Sequence, residues 1–441
     1  MNTPLFSAVE EYIGKDMSRF HMPGHKGSLP LLGRAALYDV TEIPGLDELY
    51  RPRSAIAELE ARFARLYKSD LSLLSAGGAS LCIQTLLALA LKPGDKLIAA
   101  RGCHISAVNA MALLDVTPVW VFPQYDGMTG LAKPVTAGEI RKTISANRDA
   151  KAVYLTSPDY YGVTCDISSI SEVCREFSVP LLVDNAHGAH TAFLSPSLHP
   201  LKLGADMCAD SLHKTMPVLT GGAMLHIKNQ SFTKNAKRLM SIFGSTSPGY
   251  LVMLSADTAL RALESDFSSK LSETMDMLSK LETIAIQKGF AVPSGMRDPL
   301  KLSLGFFGAG YTRGEFEAMI RSRGIEPEMT DDRFCVLMAS PYNRPKDFER
   351  LEDFLKSIKQ KPALPVRENV CAEPEQAMSL RESVFADTME IPVEEAAFKT
   401  AGSFIAPCPP GIPQVIPGEV IDENLLNLLK RYGILSLNVV I

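Results

Sequence analysis

Apolar residues alternate along the chain between two spacings. Short apolar runs with branched side chains, such as residues 152–156 and 180–183, are typical of buried parallel strands. Segments between such runs carry apolar residues at helical spacing, as in residues 54–67, where Ser54 is the predicted N-cap. Strands that alternate with helices predict an α/β fold with a mostly parallel sheet, covered on both faces, that binds ligands at the carboxyl ends of its strands.

The pattern changes after Pro293. Shorter strand-like pieces at residues 301–305 and 334–338 flank a helical segment at residues 313–323, which predicts a smaller α+β domain. A joint rich in proline and charge at residues 359–365 separates it from a last α+β unit. The predicted domains are an N-terminal arm with helices (1–65), a large cofactor-binding domain (66–292), a small α+β domain (293–360) and a C-terminal domain (361–441).

An acid and a lysine stand at the ends of two predicted strands. The apolar run 180–183 ends at Asp184, and a later apolar run ends shortly before Lys214. A lysine amine can hold an aldehyde cofactor as a Schiff base, and a carboxylate can keep the pyridine nitrogen of that cofactor protonated. Each residue alone is more often a helix cap or a solvated side chain, but the pair at one sheet edge predicts a pyridoxal phosphate site.

Further candidates for cofactor contacts follow the other predicted strands. A Gly-Gly turn before an apolar helix points backbone N–H groups at whatever lies above the turn, and the helix dipole favours an anion there. A plain strand-to-helix turn explains the same pattern equally well. His104 and Tyr160 also follow predicted strands and are candidates to contact the ring or the substrate. The candidates for binding the phosphate are Gly77, Gly78, Ala79, Ser80, Ser211 and His213.

Composition narrows the kind of partner. The 441 residues carry a net charge of −5 without a long basic or acidic block, so neither nucleic acid nor an anionic membrane is expected as a partner. The N-terminus has no apolar signal core and no apolar run is long enough to span a bilayer, so we expect a soluble, cytoplasmic protein that acts on a small molecule. The eight cysteines lack metal-ligand spacing, which predicts buried, reduced thiols and no metal site.

Eight motifs, in order along the chain, carry a family likeness. They are HMPGHKG (21–27), DVTEIPGLDELYRP (39–52), RGCHIS (101–106), SPDYYGV (157–163), DNAHGAH (184–190), DSLHKT (210–215), FGSTSPGY (243–250) and PCPPGIP with PGE (407–419). The set resembles the Orn/Lys/Arg decarboxylase family, whose members are pyridoxal phosphate enzymes of the aspartate-aminotransferase fold. The resemblance implies fold type I with a seven-stranded sheet. It also implies decarboxylation of lysine, ornithine or arginine to an amine that feeds polyamine metabolism.

The resemblance also implies roles for particular residues. Lys214 is expected to be the Schiff-base lysine, Asp184 the partner of the pyridine nitrogen, and His104 the imidazole that stacks on the ring. Either Lys214 or His187 is expected to return a proton to the substrate carbon. Because HMPGHKG begins at residue 21, the chain resembles the short form of the family, without the N-terminal receiver-like domain. In a homodimer with composite active sites, the residues expected to reach across from the other subunit are Ser245, Thr246 and Ser247.

Three departures from the family pattern bear on the substrate. Ser403 stands where the family usually has a glutamate, and Cys408 where it has a tyrosine. Gly78-Ala79 replaces common hydroxyl residues, and Asn185 replaces a glutamate. An acid and a phenol that could bracket a cationic head are therefore missing, and the candidate acids for a basic substrate are Glu328, Asp331 and Glu419. Two alternatives stay open: another pyridoxal phosphate reaction, such as transamination or decarboxylation of a non-basic amino acid, and a catalytically degenerate cofactor-binding protein.

Overall fold

The computed structural model describes residues 3–15, 26, 30–366, 373–405, 414–431 and 433–441. Most of the predicted motif at 21–27 and the proline segment at 406–413, with Cys408, lie outside the described residues. The described α-helices are α1 (Pro4–Gly14), α2 (Ala55–Tyr67), α3 (Gly78–Ala90), α4 (Ile105–Leu114), α5 (Ala137–Ala146), α6 (Ile167–Glu176), α7 (Leu212–Thr215), α8 (Ala236–Phe243), α9 (Tyr250–Leu263), α10 (Phe267–Gln287), α11 (Arg313–Ser322), α12 (Pro345–Ser357), α13 (Leu380–Phe385) and α14 (Glu423–Arg431). The described strands are β1 (Leu71–Ser75), β2 (Lys96–Ala100), β3 (Thr117–Val121), β4 (Ala152–Thr156), β5 (Leu181–Asp184), β6 (Met207–Asp210), β7 (Ala223–Ile227), β8 (Lys301–Gly305), β9 (Met329–Thr330), β10 (Phe334–Met338), β11 (Thr388–Pro392) and β12 (Ser436–Val440).

The largest sheet has seven strands in the order β1-β7-β6-β5-β4-β2-β3. Strand β2 runs parallel to β3 and β4, and β5 runs parallel to β6, whereas β7 is antiparallel to both β1 and β6. Every residue of β5, β6 and β7 is buried, as expected for strands covered on both faces. The predicted α/β fold with a mostly parallel seven-stranded sheet is confirmed.

The chain forms two compact units, each built from several segments. The first comprises Met1–Leu89, Leu181–Met275 and Ser340–Tyr342, and the second comprises Ala90–Pro180, Asp276–Ala339 and Asn343–Ile441. The first unit therefore contains β1 and β5 to β7, and the second contains β2 to β4 and β8 to β12. The division into four consecutive domains stays a prediction.

The start of α2 in the first unit shows how a distant acid can cap a helix. Ser54 occupies the N-cap position, as predicted, but its side chain makes no capping hydrogen bond. The Asp47 carboxylate accepts the backbone N–H groups of Ser54 at 2.8 Å, Ile56 at 3.1 Å and Ala57 at 3.4 Å instead. A carboxylate is the stronger acceptor and also complements the positive end of the helix dipole. Asp47 therefore stabilises the first turn of α2.

Two smaller sheets belong to the second unit. Strands β8, β10 and β9 form an antiparallel sheet in that order, which confirms the strands predicted at residues 301–305 and 334–338. Helix α11 begins with a capping box between Thr312 and Glu315. Strands β11 and β12 pair antiparallel. They pack with α14 around a cluster of apolar residues that includes Ile391, Val393, Ile421, Leu425, Leu429 and Val439.

The described cysteines are unbridged and buried, as predicted; they are Cys82, Cys103, Cys165, Cys174, Cys208 and Cys335. Burial raises the pKa of the Cys82 thiol well above its usual range and that of Cys165 to about 12, so these thiols stay protonated and act as small apolar side chains. Among the helices that the structure describes, none has the length and apolarity needed to cross a bilayer.

Candidate active site

The turn after β5 holds the predicted partner of the pyridine nitrogen. Strand β5 ends at Asp184, which is 2% exposed. Its Oδ1 accepts the backbone N–H of Ala186 at 3.0 Å, and the N–H of Gly188 donates to the carbonyl of Asn185 at 2.8 Å. These bonds close the turn and fix the direction of the carboxylate. An acid held in this way at a strand end can pair with a protonated ring nitrogen.

Lys214 and His187 form a hydrogen-bonded pair. Lys214 lies on the one-turn helix α7, and its Nζ is 2.9 Å from Nε2 of His187, which follows β5. Lysine ammonium has only donors, so a protonated Lys214 requires a neutral His187 ring that accepts at Nε2. Proton exchange across such a short contact is the basis of general acid and base catalysis. The structure thus brings together two of the predicted catalytic residues.

The glycine turn before α3 offers a cradle for an anion. Gly78 has a φ of +69°, and a Cβ added there would meet no atom within 4 Å, so the space beside it is open. The Gly77 N–H donates to a serine side chain at 3.1 Å, and the Gly78 N–H donates to the Gly221 carbonyl at 2.8 Å. The first amides of a helix have no acceptor inside the helix. The amides of Ala79 and Ser80 are therefore the better candidates to donate to a phosphate.

The two other predicted phosphate contacts lie at α7. Ser211 holds the N-cap position of this helix, is buried, and makes no side-chain capping bond. His213 Nδ1 is 3.1 Å from the Gly222 carbonyl, so Nδ1 carries the proton and donates. Burial lowers the pKa of His213, which favours the neutral ring. An anion beside Nε2 would raise that pKa again, because it stabilises the charged ring.

A second acid at the end of β6 was not singled out from the sequence. Asp210 is fully buried, and its Oδ1 accepts the Asn185 side-chain N–H at 2.7 Å. Its Oδ2 lies 3.0 Å from Nε2 of His199 and 3.6 Å from Nε2 of His226. Burial alone would raise the pKa of Asp210, but the two imidazoles hold that pKa well below its usual range. Asp210 is therefore an ionised acid whose partners all come from the chain itself.

The histidines around Asp210 have partners of their own. His226 Nδ1 is 2.7 Å from the Ser72 hydroxyl, and burial lowers the pKa of His226. In the part of the chain that the structure describes, the group of side chains with metal-ligand spacing is His199, Cys208 and Asp210, whose ligand atoms lie within 4.8 Å of one another. The Asp210 oxygens in this group already accept hydrogen bonds from side chains, which accounts for the cluster without an ion.

His104 caps a helix in the second unit. It is the N-cap residue of α4, is exposed, and accepts the Ser106 N–H through Nδ1 at 3.2 Å. The same ring nitrogen lies 2.8 Å from the Ser106 hydroxyl. The imidazole is therefore oriented by the first turn of α4. Its predicted stacking on a cofactor ring stays a prediction.

The predicted substrate residues Tyr160, Glu328 and Asp331 fall into two phenol–carboxylate pairs. The Tyr160 hydroxyl donates to Glu328 at 2.7 Å, and this glutamate is exposed. The Tyr161 hydroxyl donates to Asp331 at 2.5 Å, and Asp331 also accepts the backbone N–H groups of Arg333 and Phe334 at 2.7 Å and 2.6 Å. Asp331 is thus committed to its own loop. Glu328 is the more accessible of the two acids.

Glu419 is buried beside an arginine. It is 1% exposed, and its two carboxylate oxygens each lie 3.1 Å from Nη2 of Arg101. Its Oε2 also accepts the Ile416 N–H at 2.8 Å. Burial raises the pKa of Glu419, against the opposing effect of the Arg101 charge. The sequence indicated the acid but not its arginine partner, and recognition of a substrate by Glu419 stays a prediction.

The three residues expected to reach a partner subunit are exposed in the single chain. The Ser247 N–H donates to the Ser245 hydroxyl at 3.1 Å, which closes a small turn before α9. Hydroxyl groups on an exposed turn are suited to contact a phosphate or a second chain. The residues in question are Ser245, Thr246 and Ser247.

Known proteins resemble the chain over nearly its full length. The model of the Orn/Lys/Arg decarboxylase major domain matches residues 3–290, and that of the Orn/Lys/Arg decarboxylase C-terminal domain matches residues 360–433. An arginine decarboxylase of Bacillus subtilis (strain 168) is 30% identical over 97% of this chain and 93% of its own. An arginine decarboxylase of Halalkalibacterium halodurans is also 30% identical, with the same coverage of both chains.

Solved structures resemble the chain in its fold. The crystal structure of the Francisella novicida lysine decarboxylase LdcF has a TM-score of 0.86 at 18% identity and covers 100% of this chain and 81% of its own. An alanine–glyoxylate aminotransferase from Nostoc sp. has a TM-score of 0.58 at 14% identity over 78% of this chain and 97% of its own. The likeness confirms the predicted fold type I of pyridoxal phosphate enzymes.

Proposed function

The chain belongs to the Orn/Lys/Arg decarboxylase family, and we propose that arginine is the amino acid that it decarboxylates. Membership of this family makes it a pyridoxal phosphate-dependent decarboxylase of basic amino acids. Two relatives that match it over nearly the full length are arginine decarboxylases, which supports arginine ahead of lysine and ornithine. The products would be carbon dioxide and an amine that keeps the guanidinium group.

The Lys214–His187 pair carries the proposal, because it supplies an amine and a proton acceptor 2.9 Å apart in the unit that also holds Asp184. The residues present fit the cofactor. Lys214 would hold its aldehyde carbon, Asp184 its pyridine nitrogen, and the amides of Ala79 and Ser80 its phosphate, beside the open space at the glycine turn. When bound, the cofactor accepts the electron pair that the departing carboxylate leaves behind.

The side chains of the first unit have separate tasks in this reaction. The buried Asp184 carboxylate is oriented by its turn and would pair with the protonated ring nitrogen of the bound cofactor. His187 would accept a proton from the Lys214 ammonium, which leaves the neutral amine that would hold the cofactor. Once carbon dioxide has left, either member of the pair can deliver a proton to the substrate carbon.

Glu328 is the acid that we assign to the cationic end of the substrate. It is exposed and hydrogen-bonded to Tyr160, and a carboxylate is the group that pairs with a guanidinium through charge-assisted hydrogen bonds. Asp331 and Glu419 are predicted substrate acids as well, but backbone amides or Arg101 already occupy their oxygens. We therefore rank Glu328 first among the three.

We also assign a homodimer with composite active sites, in which the exposed turn at Ser245, Thr246 and Ser247 contributes to the cofactor site of the partner. Mixing a chain with Lys214→Ala and a chain in which these three residues are replaced by alanine tests the assignment. Mixed dimers should regain part of the activity, because one of their two sites is intact. A monomer of full activity at every concentration would exclude the assignment.

Carbon dioxide release from the cofactor-loaded protein tests the function directly. We expect turnover with arginine to exceed turnover with lysine and ornithine, and Lys214→Ala to abolish all three. Lys234→Ala, a change at an exposed lysine of the same unit, is the matched control and should keep full turnover. Preference for lysine or ornithine would overturn the substrate, and release from none of the three, or only from a non-basic amino acid, would overturn the function.

A further inference from the structure

A buried ion pair fixes residues 414–419 to the tip of β2. Arg101 directly follows β2, and Glu419 follows the segment at 407–418. The two side chains are 8% and 1% exposed, and Arg101 Nη2 also donates to the Gln414 carbonyl at 3.2 Å. Arg101 therefore binds residues 414–419 at two points, while the Ile416 N–H donates to the same Glu419 carboxylate at 2.8 Å.

This arrangement leaves little of the Glu419 carboxylate for a ligand. Both oxygens face Nη2 of Arg101, and Oε2 accepts a backbone amide in addition. A substrate cation that bound here would have to displace a guanidinium from a buried carboxylate. The displaced Arg101 would then be a buried charge without its partner, which is strongly unfavourable.

The loop that begins at Arg101 also carries His104. The Arg101 N–H donates to the Val121 carbonyl at 3.0 Å, and three residues later His104 is the N-cap of α4. The opposite end of α4 is also tied to the C-terminal part of the chain, since Arg381 Nη1 donates to the Ala112 and Leu113 carbonyls at 3.3 Å and 3.0 Å. Helix α4 is thus held at both ends by residues beyond 380.

We propose that Arg101 and Glu419 are a positioning pair, which fixes residues 414–419 against the loop that carries His104, and that Glu419 does not bind the cationic end of the substrate. The inference rests on the proposed function, because His104 matters only if the chain binds the cofactor. It narrows the search for the substrate acid to Glu328. It also explains why an acid so close to the proline segment is buried beside an arginine.

The fluorescence of the single tryptophan can report on the Arg101–Glu419 pair. Trp120 is the single tryptophan of the chain, and the Arg101 guanidinium carbon lies 5.4 Å from the centroid of the Trp120 ring. Such a contact depends on where the guanidinium is held. Releasing Arg101 from Glu419 should therefore change the emission of Trp120, whereas losing a substrate contact should not.

The experiment compares Glu419→Gln, Arg101→Lys and the double variant with the wild type, all in the full-length, cofactor-loaded protein. We expect Glu419→Gln to shift the Trp120 emission and to lower kcat/KM about tenfold for arginine, lysine and ornithine alike, because misplacing a site by a fraction of an ångström affects every substrate. The double variant should lose no more than about twofold beyond the worse single variant, because both changes break one interaction. Glu176→Gln, at an exposed pair with Arg141, is the control and should change neither signal.

The outcomes separate the two roles of Glu419. A rise in KM for basic amino acids, with Trp120 emission unchanged, would overturn the positioning role. Additive losses in the double variant would overturn it as well. If Glu419→Gln fails to fold, Glu419→Asp replaces it, since the shorter acid keeps the charge but cannot reach Arg101 at the same distance. The emission test needs no turnover, so failure of the proposed reaction would leave its result readable.

Discussion

Two neighbouring parallel strands each end at an aspartate, and the two aspartates accept hydrogen bonds from different kinds of group. Asp184 is the last residue of β5, and Asp210 is the last residue of β6. In the register of the two strands Asp184 lies opposite Ala209, so Asp210 is offset by one residue and its side chain points to the other face of the sheet. Asp184 is oriented by the backbone of its own turn, whereas both oxygens of Asp210 accept hydrogen bonds from other side chains.

An offset of one residue between neighbouring strands gives Asp184 and Asp210 different hydrogen-bond partners. Asp210 accepts its hydrogen bonds from other side chains and contributes to stability, whereas Asp184 is oriented by the backbone of its turn and is the acid that we propose for the cofactor. Asn185 links the two acids, because it directly follows Asp184 in the chain and its side chain donates to Asp210. The contact with Asp210 therefore helps to fix the turn that orients Asp184.

The largest expected effect is on activity, from Asp184→Asn. The amide keeps an oxygen for the Ala186 N–H but loses the charge that the cofactor nitrogen needs, so kcat should fall by at least about 10³-fold. Thermal stability should change little. Decarboxylation kinetics with saturating cofactor, together with a melting curve, measure both quantities. Asp166→Asn, at the exposed N-cap of α6, is the control. A variant with kcat within tenfold of the wild type would contradict the assigned role.

Asp210→Asn should have the opposite effect, with a large loss of stability and a small loss of activity. Removing the charge leaves His199 and His226 without their buried anion, and we expect the free energy of unfolding to fall by about 3 kcal/mol, with activity reduced no more than about tenfold. Because folding lowers the pKa of Asp210, its contribution is present above the unfolded-state pKa near 4 and is lost as the pH falls below it. Denaturant titrations at pH 7 and pH 3.5 test this. Equal stability of variant and wild type at pH 7 would show that the Asp210 cluster contributes nothing.

Asn185→Asp places a second carboxylate at the link between the two acids. The new group would lie about 2.7 Å from Asp210, so one of the two acids must take a proton and its pKa must rise. Stability should then fall as the pH rises, by about 2 kcal/mol between pH 5 and pH 8 relative to the wild type. Melting curves across this range are the measurement. Asn185→Ala removes the amide without adding charge and should show no such slope.

Much of the fold follows from short-range patterns. The strands of the large sheet were predicted from short apolar runs, and nearly every residue of β4, β5 and β6 is buried. For the N-terminus of α2, the sequence predicted the N-cap residue but not the acceptor of the capping hydrogen bonds. Ser54 holds the position, but the capping bonds come from Asp47, several residues upstream, and no local pattern marks that acid as the acceptor.

The sequence predicted the site residues that follow neighbouring strands. It did not predict contacts between residues that are far apart in the sequence. Asp184 and Lys214 were expected at one sheet edge because each follows a strand of that sheet. His187 was expected only as an alternative to Lys214 for returning the proton, and its Nε2 lies 2.9 Å from Nζ of Lys214. The pairing of Arg101 with Glu419 joins residues 318 positions apart, and nothing in either motif specifies the other. The sequence did not indicate the role of Asp210, because its partners His199 and His226 lie in the loop before β6 and in strand β7.

A third buried acid, Asp257, is intermediate between the two cases. Asp257 on α9 accepts the Phe6 N–H through Oδ2 at 2.8 Å, while its Oδ1 has no hydrogen-bond partner among the described residues. Burial raises the pKa of Asp257 to about 6, against the lowering effects of the Phe6 amide and of Arg62. An acid whose folded pKa is raised binds its proton more tightly in the native state. Its contribution to stability is therefore greatest at low pH and is lost as the pH rises from about 4 through 6.

Asp257→Asn should remove this slope, because the amide has no proton to lose and keeps an acceptor for Phe6. We expect the wild type to lose about 2 kcal/mol of unfolding free energy from this group between pH 4 and pH 7, and the variant to lose that much less over the same range. Denaturant titrations of both proteins at pH 4, 5, 6 and 7 give the difference directly. Asp266→Asn, an exposed change near the start of α10, is the matched control and should follow the wild-type curve above pH 5. Parallel curves for wild type and Asp257→Asn would mean that Asp257 stays ionised in the folded protein, and it would then belong with Asp210 as an acid whose charge is already compensated by its surroundings.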